Sequence, residues 1–110
     1  MKQNNRKALT QLGIGFSGEF VGNMNAQGRC FKKSGILYIC ICLTNVHEIN
    51  HKETVDHVWV DVLKSDLDTF NIKKGDKIVV RGFVHEYERK NGTSGIGIKS
   101  KCVLRKINHR

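Results

Sequence analysis

Ile72-Lys73-Lys74-Gly75-Asp76-Lys77-Ile78-Val79-Val80-Arg81-Gly82-Phe83-Val84-His85-Glu86-Tyr87 joins a polar Lys-Lys-Gly-Asp turn to a long strand signal. Side chains alternate along a strand, so Ile78, Val80, Gly82 and Val84 share the inward face. Val79, Arg81, Phe83 and His85 then point the other way. Gly82 interrupts a run of strong strand formers, as happens where a strand bends sharply or another backbone comes close. A bent strand after a Gly-Asp turn, in a small basic chain, points to a small closed β-barrel. The competing reading is a hairpin in some other small β-domain.

Downstream, Lys90-Asn91-Gly92-Thr93 has the chemistry of a hairpin turn. It leads into a further strand over Ser94 to Ile107. Upstream, Lys64 to Asn71 carries a helical signal. Ser65 is positioned to cap it, Asp66 and Asp68 suit a helix N-terminus, and Leu67 and Phe70 lie three apart. Val55 to Leu63 alternates as a strand, with Val58, Val60 and Val62 inward and His57, Trp59 and Asp61 outward. Asn45 to Thr54 is polar and is expected to be a loop. Ile36 to Thr44 is the clearest strand: Leu37, Ile39, Ile41 and Leu43 face one way, and Tyr38, Cys40, Cys42 and Thr44 the other. Asn23 to Gly35 is expected to be a turn, with a short extended piece at Arg29-Cys30-Phe31. The first strand is expected from Gly13 to Met24, with Phe16, Gly18, Phe20 and Gly22 on one face. Residues 1–12 are expected to form a flexible basic arm, residues 13–107 a single domain, and residues 108–110 a tail.

Three strands, a short helix and a two-stranded hairpin follow one another in this reading. The pattern Phe16-x-Gly18-x-Phe20, the run Ile36 to Thr44, the string Asp56-His57-Val58-Trp59-Val60, the Gly75-Asp76 turn and Val84-x-x-Tyr87 resemble small OB-fold nucleic-acid-binding proteins of bacteria and mobile elements. The resemblance spans roughly residues 13 to 107. It implies an all-β, five-stranded Greek-key barrel with a helix between the third and fourth strands. It also implies nucleic-acid binding, most often single-stranded, with no catalytic machinery.

The charge agrees with a polyanionic partner. Nineteen Lys and Arg against ten Asp and Glu leave +9 with neutral His. The charge is segregated: residues 1–47 carry +5, residues 48–72 carry −4 and residues 73–110 carry +8. No apolar stretch is long enough for a signal peptide or a bilayer span, so the expected location is cytoplasmic, with Cys30, Cys40, Cys42 and Cys102 reduced. No metal is expected, because Cys40-x-Cys42 lacks the spacing of a structural zinc knuckle and His47 and His51 fall in a loop. No cofactor is expected either. There is no nucleophile elbow or phosphate-cradling glycine loop, so the chain is not expected to be an enzyme.

An OB-fold binds across its second and third strands, with the first and last hairpin loops closing over the ligand. On that plan Tyr38, His57 and Trp59 form the outer face between them. Arg29, Lys32 and Lys33 supply charge at the first connection and Arg89 and Lys90 at the last. Arg81 adds charge from the fourth strand, and Lys99 and Lys101 alternate outward along the fifth. The expected function is a non-catalytic module for single-stranded nucleic acid, DNA ahead of RNA. The alternative is a protein–protein adaptor, an accessory subunit in replication or element mobilisation. It would use Tyr38, Cys40, Cys42 and Trp59 with Glu48, Glu53 and Asp61. A homodimer is among the expected assemblies.

Overall fold

The computed structural model describes residues 6–107, apart from the side chain of Lys101. Its elements are α1 (Lys7–Leu12), β1 (Ser17–Lys33), β2 (Ile36–Glu48), β3 (Val55–Leu63), α2 (Lys64–Thr69), β4 (Lys77–Glu88) and β5 (Ser94–Ile107). All strand pairings are antiparallel, in the order β3-β2-β1-β4-β5. The sheet curls until its two edge strands, β3 and β5, pack against each other. This is the five-stranded OB-fold barrel, with α2 between β3 and β4.

The turn before β4 works as its sequence suggests. The Asp76 carboxylate accepts from the Lys73 N–H at 2.8 Å, and Gly75 adopts a positive φ of 97° that suits glycine. Gly75 and Asp76 also exchange backbone hydrogen bonds with Met24, each at 2.7 Å, which fixes the entry of β4 beside β1. Gly82 is required for a different reason. A Cβ there would lie 2.6 Å from the Lys99 carbonyl oxygen, so the β4–β5 approach admits no side chain.

The inward faces of the strands fill the barrel. Phe20, Ile41, Leu43, Val58, Val60, Val62, Ile78, Val80 and Val84 are all buried in one cluster. Phe16 and Phe70 pack against its margin. Three positions depart from the expected alternation; Cys42, expected outward on β2, is buried. Leu37, expected inward, is 40% exposed, because the β1–β2 hairpin runs on past the barrel wall. Val79, expected outward, is fully buried: it lies opposite Val21 on one side and Arg105 on the other. A small β-branched residue in an interior strand is readily covered by its cross-strand neighbours.

The first strand is longer than its glycines suggest. Asn23 to Lys33 is not a turn but the second half of β1, which pairs with β4 over Ser17–Asn23 and with β2 over Phe20–Lys33. Register shifts between Val21 and Asn23, Met24 and Ala26, and Gln27 and Cys30 let one strand serve both neighbours. Polar bulge residues hide such a strand from a period-two reading. β2 likewise continues past Thr44 to Glu48, through Asn45 at φ 51°.

Residues 7–12, expected within a flexible arm, form α1 instead. Leu9 is 2% exposed in the core, and the Arg6 guanidinium donates to the Ile96 carbonyl on β5. In α2, Ser65 makes no cap; the helix starts at Lys64 after an uncapped Leu63. Asp66 accepts from the Val103 N–H at 3.1 Å, docking the helix on β5. Among the described residues no helix is long and apolar enough to cross a membrane.

Candidate nucleic-acid interface

The β1–β2 hairpin turns through Ser34 (φ 53°) and Gly35 (φ 79°), two consecutive positive-φ residues as a two-residue primed turn requires. That turn sets Lys33 opposite Ile36, Lys32 opposite Leu37 and Phe31 opposite Tyr38. The Phe31 and Tyr38 rings stack at 5.5 Å between centroids and 17° between planes. Such a cross-strand aromatic pair stiffens the projecting hairpin and presents a flat apolar wall.

On β3, regular alternation holds. Val58, Val60 and Val62 are buried and Trp59 is 48% exposed, so the indole faces outward. Its inner edge rests over Gly28 of β1, where a Cβ would come within 3.2 Å of Cζ3. Glycine at 28 therefore gives this edge of the ring room against β1.

A groove of about 340 Å³ lies between these features and the β4–β5 edge. Phe31, Lys33 and Tyr38 form the hairpin wall, Trp59 and Asp61 the β3 side, and His85, Lys99 and Ser100 the far side. Buried Val60 and Ile98 line its base. The groove straddles the seam where β3 meets β5, rather than lying across β2 and β3 as expected.

The electrostatics of the groove are mixed. Desolvation, and then the Lys99 ammonium, hold the His85 imidazole below its ordinary pKa, against a backbone hydrogen bond at Glu86 that raises it. His85 is also the middle ring of an outward row on β4, 6.3 Å from Phe83 and 5.9 Å from Tyr87. Across β2–β3, Cys40 pairs with Asp61. Burial first, then the Asp61 charge and hydrogen bond, push the Cys40 thiol up to about 11, while Arg29 pulls the other way. The thiol therefore stays protonated at neutral pH.

Of the sequence-derived site residues, the groove unites Lys33, Tyr38, Trp59 and Lys99. Arg29 lies close enough to influence Cys40 at its margin. His57 faces outward two residues before Trp59, opposite Thr44, and is outside the groove lining. Lys32 is exposed on the hairpin but outside the lining. Arg81 lies elsewhere on β4, 3.9 Å from the Glu19 carboxylate and beside a separate hollow with Ser17 and Gly18. Arg89 lies over the Tyr87 ring at 5.6 Å and donates to the Ser94 carbonyl, and Lys90 is in the adjoining turn. The Lys101 side chain lies outside the described residues; its backbone falls at a register shift between Ser100 and Cys102. That shift breaks the alternation assumed for β5.

Phe31, Asp61, His85 and Ser100 line the groove without having been singled out as binding residues. The signal for Phe31 was present: a two-residue turn at Ser34-Gly35 forces residues 31 and 38 into register. The adaptor surface loses two members. Glu48 is 4% exposed and Cys42 is also buried, so neither is available to a partner.

No protein-family model matches the sequence, and no curated protein matches it. Solved structures do resemble the fold. The dimeric N-terminal domain of the PriB protein from Thermoanaerobacter tencongensis matches with a TM-score of 0.59 and 15% identity, covering 84% of this chain and 97% of that one. The single-stranded DNA binding protein from Thermus aquaticus matches at 0.55 and 14%, covering 89% of this chain and 53% of its own. This chain therefore corresponds to about half of that protein. The second single-stranded DNA binding protein from Mycobacterium smegmatis matches at 0.52 and 16%, covering 82% and 89%. At these identities the likeness is one of fold.

Proposed function

We propose that the chain is a non-catalytic module that binds single-stranded DNA. One observation carries this reading: a groove in which the stacked Phe31–Tyr38 pair and the half-exposed Trp59 lie between Lys33 and Lys99. Unpaired bases have apolar faces that stack on aromatic rings, while the phosphates between them need cations. A duplex has its base faces already stacked on one another and offers none to these rings. The single-stranded DNA-binding proteins among the structural neighbours support the same reading.

Binding has two components on this account. Trp59 and the Phe31–Tyr38 pair receive bases, contributing about 1–3 kcal/mol per stacked base. Lys33 and Lys99, with Arg29 and Lys32 near the hairpin, neutralise about three to four phosphates. Each such contact lowers the slope of log affinity against log salt by about 0.7. Titrating the protein with a labelled single-stranded oligonucleotide at two salt concentrations tests this. The expected slope is about −2 to −3, with quenching of the emission of Trp59, the one tryptophan in the chain. Absence of binding at micromolar protein, or affinity indifferent to salt, would refute it.

A second reading, a protein-binding adaptor, draws on the exposed Ile36 and Leu37 at the hairpin beside Phe31. Exposed apolar side chains grouped on a projecting element suit a protein contact. Light scattering with and without oligonucleotide separates the readings. A stable dimer that binds no oligonucleotide favours the adaptor.

A further inference from the structure

Asp61 is anomalous in a groove read as a DNA site. It is the one acidic side chain among the described residues that line the groove, facing a space bounded by Lys33, Lys99 and three aromatic rings. A carboxylate repels phosphate, so the sugar–phosphate path must follow the lysines and keep away from it. What meets Asp61 must instead donate hydrogen bonds. Bases stacked on Trp59 or on the Phe31–Tyr38 pair project their edges across the same groove, and single-strand readers contact bases on those edges.

We propose that Asp61 reads the Watson–Crick edge of a base held in the groove and selects guanine. This rests on the single-stranded DNA reading and makes it more specific. Guanine presents two adjacent donors on that edge, the ring N1–H and the exocyclic N2 amine, which match the two oxygens of one carboxylate. Bidentate, charge-assisted pairs of this kind combine strength with geometric selectivity. Cytosine and adenine offer an exocyclic amine beside an acceptor ring nitrogen, so only one oxygen gains a donor. Thymine offers its N3–H between two carbonyl oxygens, which the carboxylate repels.

The surroundings of Asp61 suit this task. Its register partner across the β2–β3 ladder is Cys40, a small side chain that leaves the carboxylate free to face the groove. Val60 and Val62 on either side of it are buried in the barrel, so the backbone carrying Asp61 is held by the core. Trp59 lies two residues away on the same exposed face of β3, so a base stacked on it is within reach of Asp61.

The test uses thymidine oligonucleotides that carry one central guanine, one hypoxanthine or no substitution, titrated into the full chain and into Asp61→Asn. Hypoxanthine keeps the ring N–H but lacks the exocyclic amine. The wild-type chain is expected to prefer the guanine oligonucleotide by about fivefold or more over the other two, the lower end of base discrimination by a bidentate pair. Asp61→Asn is expected to lose that preference while binding the all-thymidine strand at least as well, because a negative charge has left the groove. Equal affinity of the wild type for all three strands overturns the guanine assignment and leaves DNA binding standing. A guanine preference that persists in Asp61→Asn assigns the selectivity to another residue and also overturns it. No binding to any strand overturns both the assignment and the DNA reading.

Discussion

Two regions of this barrel hold the same kinds of side chain, an acid, a histidine and aromatic rings, and use them in opposite ways. At one, Glu48 ends β2 beneath α1. It is 4% exposed and accepts from the Asn50 N–H at 2.8 Å, with His51 Nδ1 at 2.7 Å. Phe16 meets the His51 ring edge-on at 6.2 Å. At the other, Asp61 lines an open groove with His85, the half-exposed Trp59 and the stacked Phe31–Tyr38 pair. A buried carboxylate is tolerable only with partners of its own, and Glu48 Oε1 takes both of its bonds from the turn that follows β2, so the first cluster is internal to the protein. The second has aromatic rings and lysines with open space beside them, which is the condition of a ligand site.

The contrast makes its strongest demand at Glu48. Replacing Glu48 with Ala removes both of these hydrogen bonds, each contributing about 1–1.5 kcal/mol, and is expected to cost about 2–3 kcal/mol of stability. Asp61→Ala should change stability by no more than about 0.5 kcal/mol. Urea unfolding of the two variants measures both. Comparable losses would mean that Asp61 is also structural.

Trp59→Ala is next in size. The expected result is a loss of about 1–3 kcal/mol in oligonucleotide affinity with a cooperative melt retained. The reverse pattern, collapse of the fold with binding unaltered in the surviving fraction, would place the indole with the core and remove the groove's main platform.

Lys99→Gln should act on charge alone. The slope of log affinity against log salt is expected to become shallower by about 0.7, one phosphate contact on a single strand. Arg81→Gln, on the Glu19 side of β4, should leave the slope unchanged. A larger effect from Arg81 than from Lys99 would move the phosphate path out of the groove.

The smallest effect is a pH dependence from His85. Desolvation, then Lys99, hold it below its ordinary pKa, so it is neutral at pH 7. A bound phosphate favours the imidazolium, and affinity should therefore rise as pH falls from 7 toward 5. Stability moves the opposite way. The unfolded chain takes up a proton near 6.5 that the folded chain resists, so the His85 contribution is complete above that pH and is lost as pH falls below it. His85→Gln should flatten both dependences, and an affinity profile that survives this substitution would assign the titration to another group.

The barrel itself was legible along the chain wherever alternation was unbroken. Val58, Val60 and Val62 against Trp59 needed only a period of two, and the Lys73–Asp76 turn needed only the known chemistry of Gly and Asp. The second half of β1 was not legible. Its bulges place polar residues out of phase, and a local pattern cannot reveal that one strand is shared between two neighbours. α1 was missed because a six-residue helix has little signal of its own, and Leu9 is explained only by the core it enters.

The sequence by itself determined the overall charge, the strand phases of β3 and most of β4, and the outward direction of Trp59. These depend on residue type and on neighbours one or two positions away. Only the tertiary structure decided that Phe31, Asp61, His85 and Lys99 share one groove, that Arg81 lies apart from it, and that Glu48 is sealed while Asp61 is open. Those outcomes depend on how far a hairpin projects, where bulges turn a strand and which edges meet as the sheet curls. Each is a long-range packing result, carried by residues dozens of positions apart.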